Sequence, residues 1–347
     1  MHIAFLARKT LFSQPGGDTV QVEQTAAALD RLGHSSNVVL AGQPLPDNVD
    51  ILHGFNLGRP ADLLPYFSKF PGKKVLSSIY VDYSLADAQR FPTLFKFLGK
   101  HGLEYIKTVG RALNGTDRWP GLSYLISGQK RSATRLLAAT DLLITSSQSE
   151  AERIQVDFGA IKNHQTIPLG IGDEFLATPP DTERQGILVL GRLEWLKNQK
   201  TVIEWARKEN WPMTVMGDAN KNQPKYYEQC QAIAGPSTTF LPYATGGALL
   251  HELQHHKLLL IPSHFESFSL VGWEAAAQGM QVIFNDVADM KETLAPVGAA
   301  LDFSNAQTAI QTIQSALDEP SAQKKSQALL ESRSWDQIVK QILQAYA

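Results

Sequence analysis

The chain has 347 residues, 43% of them hydrophobic and 19% charged, with a formal net charge of −2. It is too long for one ordinary core and fits two domains of roughly 170 residues. The composition excludes a disordered or fibrous chain, and the near-neutral charge excludes a polyanion binder acting through its whole surface.

The first residues, Met1-His2-Ile3-Ala4-Phe5-Leu6-Ala7, read as a buried strand rather than a basic leader. No stretch reaches the ~18–20 apolar residues that span a bilayer, so a cytoplasmic protein is expected. Cys230 is the one cysteine. No intramolecular disulfide can form, which suits a reducing compartment, and the polar stretch around Cys230 marks an ordinary thiol.

Short apolar runs predict strands at 3–7, 36–40, 51–53, 74–78, 142–145 and 165–167. A second series follows at 186–190, 212–216, 238–241, 258–261, 281–284 and 299–302. Runs apolar on both faces and separated by helical patterns predict parallel sheets of the α/β class. The first helix carries Val22, Ala26, Leu29 and Leu32 at helical spacing, with Gly33 as its stop. Two such series imply two Rossmann-like domains facing each other. The boundary is expected at 171–180, where Gly170-Ile171-Gly172-Asp173 leads into Thr178-Pro179-Pro180-Asp181. The expected domains are 1–170, with 334–347 packing back on it, and 171–333.

Between Ala88 and Arg135 nine Lys or Arg stand against Glu104 and Asp117, interleaved with aromatic and aliphatic residues such as Phe91, Phe95, Phe97, Trp119 and Tyr124. Two readings are open: a surface that lies on anionic lipid, or a helical insertion packed on the first domain with its charges solvated. Nucleic-acid binding has this patch alone in its favour and no recognised module, so no nucleic-acid partner is expected.

Three loops carry candidate chemistry. Glu266-Ser267-Phe268-Ser269-Leu270 follows the apolar run 258–261, and a small-residue helix containing Glu274 begins near Ser269. A loop after a parallel strand sits at the carboxyl edge of the sheet, where α/β folds bind ligands. The helix start offers free N–H groups to a phosphate, and a carboxylate there suits sugar hydroxyls. Gly191-Arg192 with Lys197-Asn198 places two cations after another strand, suited to a pyrophosphate whose charge grows as it leaves. Gly16-Gly17 lets backbone approach a ligand closely, without the G-x-G-x-x-G spacing of a dinucleotide loop.

Together these stretches resemble glycosyltransferase family 4, the group 1, glycogen-synthase-like retaining enzymes of GT-B fold. Gly16-Gly17 with Leu32-Gly33-His34 is similar to the family's N-terminal loop and helix end, and Gly191-Arg192 with Lys197-Asn198 to its G-R-x-x-x-x-K loop. Glu266 to Glu274 matches its E-x7-E motif, and Ser334-Trp335 its C-terminal segment, whose helix crosses back onto the first domain. The resemblance spans nearly the whole chain. It implies that Arg192 and Lys197 neutralise the donor diphosphate, Glu274 holds the ribose and Glu266 the donor sugar. Ser267 would line the same site, and the amides of Phe268, Ser269 and Leu270 would reach the phosphates or sugar. Gly16 and Gly17 would close over the donor. It implies an acceptor-binding first domain, a nucleotide-binding second domain, no metal and no cofactor beyond the nucleotide-sugar substrate.

The expected activity is retaining transfer of a sugar from a UDP- or GDP-sugar to a glycan or lipid-linked glycan, as in lipopolysaccharide or capsule assembly at the inner face of the cytoplasmic membrane. The chain departs from the family at 79–84, where many members carry a histidine. Here Asp82 is either the acceptor's general base, with Tyr80 or Tyr83 lining the site, or a capping residue. Ser269 also replaces the commoner glycine. Two further readings stand beside this one: an inactive GT-B scaffold in a polysaccharide assembly, and a zinc hydrolase using His251, Glu252 and His255, which spell H-E-x-x-H.

Overall fold

The structure, a computed structural model, describes residues 1–180, 182–319 and 326–347. Asp181, the last residue of the expected boundary loop, lies outside them. The chain divides into two compact units, 1–170 with 335–347, and 171–334.

The first unit contains β1 (His2–Ala7), α1 (Gly17–Arg31), β2 (Ser35–Leu40), β3 (Ile51–Phe55), α2 (Pro60–Phe67), β4 (Lys73–Ser77), α3 (Ser84–Arg90), α4 (Pro92–Leu113), α5 (Leu122–Ala138), β5 (Leu142–Thr145), α6 (Gln148–Phe158) and β6 (His164–Thr166). Its six strands are parallel in the order β2-β1-β3-β4-β5-β6. Helices cover both faces of such a sheet, which is why β1 is apolar from Ile3 to Ala7, with Ile3, Ala4, Phe5 and Leu6 fully buried. The buried stripe of α1 runs through Val22, Thr25, Ala28 and Leu29. Ala26 and Leu32, expected in that stripe, are only half-buried. Gly33 ends the helix at φ 81°, where a side chain would be strained.

The second unit contains α7 (Asp173–Leu176), β7 (Ile187–Leu190), α8 (Gln199–Glu209), β8 (Met213–Met216), α9 (Pro224–Ile233), β9 (Thr238–Leu241), α10 (Gly246–His255), β10 (Leu258–Ile261), α11 (Leu270–Ala277), β11 (Gln281–Asn285), α12 (Ala288–Leu294), β12 (Ala299–Leu301), α13 (Ala306–Asp318) and α14 (Gln327–Glu331). Its sheet is parallel in the order β12-β11-β10-β7-β8-β9. The chain leaves β7 in one direction towards β9, then returns to β10 on the other side of β7. This switch point brings the loops after β7 and β10 side by side at the carboxyl edge of the sheet, where such folds bind ligands.

The last helix, α15 (Trp335–Tyr346), joins the first unit. Its buried residues Trp335, Ile338, Val339 and Ile342 fall at helical spacing. Asp336 pairs with Arg31 at 2.5 Å, and the Tyr346 hydroxyl meets His53 Nδ1 at 2.6 Å. A Cβ on Gly170 would stand 2.6 Å from the Trp335 ring, so only glycine admits that packing.

Candidate functional site

The loop after β7 begins at Gly191, whose amide donates to the Met216 carbonyl at 3.0 Å. A Cβ on Gly217 would lie 2.1 Å from the Gly191 oxygen, so this close approach of two strand ends needs glycine. Arg192 follows with its side chain exposed, and its carbonyl accepts from Gln199 Nε2 at 2.8 Å. Asn198, left-handed at φ 54°, ends the loop and starts α8. Its Nδ2 donates to the Pro262 carbonyl at 3.2 Å, in the loop after β10. The His264 amide donates back to the Leu196 carbonyl at 2.8 Å, and the Trp195 and His264 rings meet at 4.5 Å. Two segments some seventy residues apart are thus stitched together across the switch point.

That stitching places Lys197 Nζ 2.9 Å from Glu266 Oε1, and Ser263 Oγ donates to the same oxygen at 2.6 Å. The pair is mostly buried, at 25% and 11% side-chain exposure. Behind it α11 is built of small residues because it presses on α12: a Cβ on Gly272 would stand 2.6 Å from Leu294. The first amides of α11 have no intrahelical acceptor. Ser269, at their head, is buried and its hydroxyl has no partner among the described residues. Ser267, Phe268 and Leu270 are half-buried around it. Glu274, on the first turns of α11, is buried. Burial, and next the charge of Glu174, push its carboxyl up to about 7. The Lys197–Glu266 pair and the start of α11 therefore stand at the carboxyl ends of neighbouring strands, an arrangement able to hold a diphosphate and hydroxyls together.

Beside this site a cavity of about 360 Å³ is lined by Gly217, Asp218, Ala219, Tyr227, Phe240, Leu241 and Pro242. Sequence reasoning missed it. Gly217-Asp218 after the apolar run 212–216 is the same strand-loop signal that marked Gly191-Arg192 and Glu266.

In the first unit Gly16 caps α1, and Gly17 faces open space, where a Cβ would meet nothing within 4 Å. Their loop is held by Arg8, also missed from sequence. Its guanidinium donates to Asp18 Oδ2 and Oδ1 at 2.6 and 2.9 Å and to the carbonyls of Thr10 and Gln14 at 2.9 and 2.8 Å. After β4 the backbone is strained, since β-branched Ile79 has φ 41°.

The three acceptor-side candidates part company here. Tyr80 is a core residue: its hydroxyl donates to Asp157 at 2.6 Å and its amide to Glu150 at 2.5 Å, so it does not line an open site. Asp82 accepts from the Ser84 amide at 2.8 Å at the start of α3, the capping alternative. Burial works to raise its carboxyl, but the Ser84 hydrogen bonds and the Lys100 ammonium outweigh it and hold it below the usual range, which makes it a weak base. Tyr83 is exposed, with Lys107 Nζ 5.8 Å from its ring centre.

The H-E-x-x-H residues lie on α10. The His251 and His255 rings stack at 4.0 Å, and His255 Nδ1 donates to the His251 carbonyl at 2.7 Å. Glu252 sits against His251 and His256 at 3.3 and 3.4 Å. No group of three or more metal-ligating side chains converges among the described residues.

Residues 173–332 match the family described as glycosyl transferases group 1. Glycogen synthase of Mycobacterium tuberculosis is 24% identical over 227 residues, which are 61% of this chain and 55% of that protein. The chain spans about half the length of the curated relatives it matches. Among solved structures, sucrose-phosphate synthase of Thermosynechococcus elongatus superposes with a TM-score of 0.75 at 15% identity, covering 100% of this chain and 98% of that one. Anabaena HepE in complex with UDP-glucose gives 0.71 at 15% identity, covering 100% and 99%.

Proposed function

We propose that this chain, which has the GT-B fold and whose residues 173–332 are similar to the group 1 glycosyl transferases, moves a glycosyl group from a nucleoside diphosphate sugar to an acceptor hydroxyl. The observation that carries the reading is the Lys197–Glu266 pair held at the switch point of the second sheet, at the head of α11. There Arg192 and Lys197 bind the diphosphate, the Ser269 hydroxyl and the first amides of α11 meet its oxygens, Glu266 accepts from sugar hydroxyls, and Glu274 accepts from the ribose. The cavity at Gly217–Pro242 takes the base. HepE is complexed with UDP-glucose, which favours a uridine donor over a guanosine one.

In the transfer the bond between the anomeric carbon and the diphosphate oxygen breaks, and its electron pair leaves with the diphosphate. The acceptor oxygen bonds the same face of the sugar, with retention, and its proton passes to the departing phosphate oxygen. Two fixed cations and a helix start stabilise the charge that grows on the leaving group, so no metal is required. The acceptor is a glycan or lipid-linked glycan of a surface polysaccharide.

The test is proton NMR of the purified chain with UDP- and GDP-sugars and simple glycan acceptors, in the presence of a chelator. Appearance of a glycoside with the donor's own anomeric configuration supports the reading. An inverted product removes retention, and no cleavage of any nucleotide sugar removes the activity.

A further inference from the structure

Helices α3 to α5 leave apolar side chains uncovered. Phe97 is 80% exposed, Leu122 77% and Ile126 83%, and Leu94, Leu98, Ile106, Leu113 and Trp119 are exposed as well. The spacing is helical: Leu94, Phe97 and Leu98 share one face of α4, and Leu122 and Ile126 one face of α5. Each helix is broken by a glycine in a conformation open only to glycine, Gly99 at φ 60° and Gly128 at φ 72°. The breaks set off two short tips, 92–98 and 122–127, and these carry the most exposed apolar residues of α3 to α5.

The charges around them are sorted. The carboxylates between 84 and 135 are Asp87, Glu104 and Asp117; Asp87 and Asp117 are buried, Glu104 is half-buried, and each is paired. Lys107 holds Asp87 at 2.6 Å, and Arg111 holds Glu104 at 3.0 Å and Asp117 at 2.7 Å. Lys96, Lys130 and Arg131 are exposed and make no ion pair among the described residues. The face therefore presents apolar tips and uncompensated cations, with its acids paired. A fluid surface of apolar interior and anionic rim matches both halves of this pattern.

We propose that this face docks on an anionic lipid bilayer, with Phe97, Leu122 and Ile126 entering the acyl boundary and Lys96, Lys130 and Arg131 meeting headgroup phosphates. The inference stands whatever the chain transfers.

The test is sedimentation of the full chain with vesicles of phosphatidylcholine alone or mixed with phosphatidylglycerol. Binding is expected to the mixed vesicles only, and to weaken as salt is raised. The triple variant Lys96→Glu, Lys130→Glu, Arg131→Glu is expected to lose roughly a hundredfold in partition. Phe97→Ser with Ile126→Ser is expected to lose at least about tenfold at every salt concentration. Unchanged circular dichroism melts confirm that the variants fold, and the salt dependence of the unsubstituted chain decides the matter without them. Absence of binding at low salt, or equal binding to both vesicles, overturns the proposal. So does self-association in sedimentation velocity that Phe97→Ser with Ile126→Ser abolishes while vesicles are ignored, which would assign the face to a second copy of the chain.

Discussion

Lys197 and Glu266 are hydrogen-bonded to each other at 2.9 Å, although the chemistry proposed for them sends one to a diphosphate and the other to a sugar. Each neutralises its partner in a half-buried setting, so neither stands as an uncompensated charge before a donor arrives. Glu266→Gln removes the carboxylate and frees the ammonium. Nucleoside diphosphate affinity is expected to hold or rise several-fold while turnover falls about 10²–10³-fold. Calorimetry beside a turnover assay separates the two, and a parallel loss of affinity and turnover would contradict the division of labour.

Glu274 sets site against stability. Its folded value of about 7 lies above the ordinary 4.5. Between these the folded chain keeps a proton the unfolded chain has lost, so stability falls as pH rises from 4.5 to 7 and is level above. Ionised Glu274 costs on the order of 3 kcal/mol. Glu274→Gln is therefore expected to raise the melting temperature by several degrees at pH 8 and by almost nothing at pH 4. Nucleotide affinity should fall at least about tenfold as one strong acceptor is lost. A variant no more stable at pH 8 than the natural chain would refute the assignment.

His53 gives the first unit the opposite slope. It is fully buried, with Tyr346 at one ring nitrogen and Ser77 at the other, and burial pushes its imidazole down to about 3 from 6.5. Below pH 6.5 the unfolded chain takes up a proton that the folded chain refuses. Stability in this unit is expected to fall as pH drops, at up to about 1.4 kcal/mol per unit. Chemical denaturation from pH 7 to 4 measures it, and His53→Gln should flatten the dependence.

Two glycines separate architecture from contact. Gly217→Ala would drive a Cβ into the Gly191 carbonyl at 2.1 Å, so a loss of about 3 kcal/mol or more is expected. Gly17→Ala meets nothing, and stability should be unchanged or slightly higher. Thermal melts check the contrast, and equal melts for the two variants would contradict the close packing at Gly217.

Much of this was legible in the residues. All twelve expected strands are present, most within a residue or two, because strands covered on both faces are apolar runs bounded by loops. Strand ends also singled out Arg192, Lys197, Glu266 and Glu274 as candidates, since loops after parallel strands are where such folds bind ligands. What could not be read was juxtaposition. The Lys197–Glu266 bond joins segments separated by sixty-nine positions, and the cavity at Gly217 to Pro242 needs two neighbouring strand ends. Tyr80 resembled a site residue because its partner Asp157 lies on α6, far along the chain. Nor did composition foretell that Asp87, Glu104 and Asp117 are all paired while Lys96 and Arg131 stay out.

The most direct test of the central claim is calorimetric titration of UDP, GDP and ADP into the chain and into Lys197→Ala, with chelator present. One nucleoside diphosphate is expected to bind the unsubstituted chain, and the substitution to weaken it roughly 10–100-fold, the worth of one hydrogen bond to a charged group. If none binds, or if Lys197→Ala binds as well as the natural chain, the loops after β7 and β10 are not a donor site.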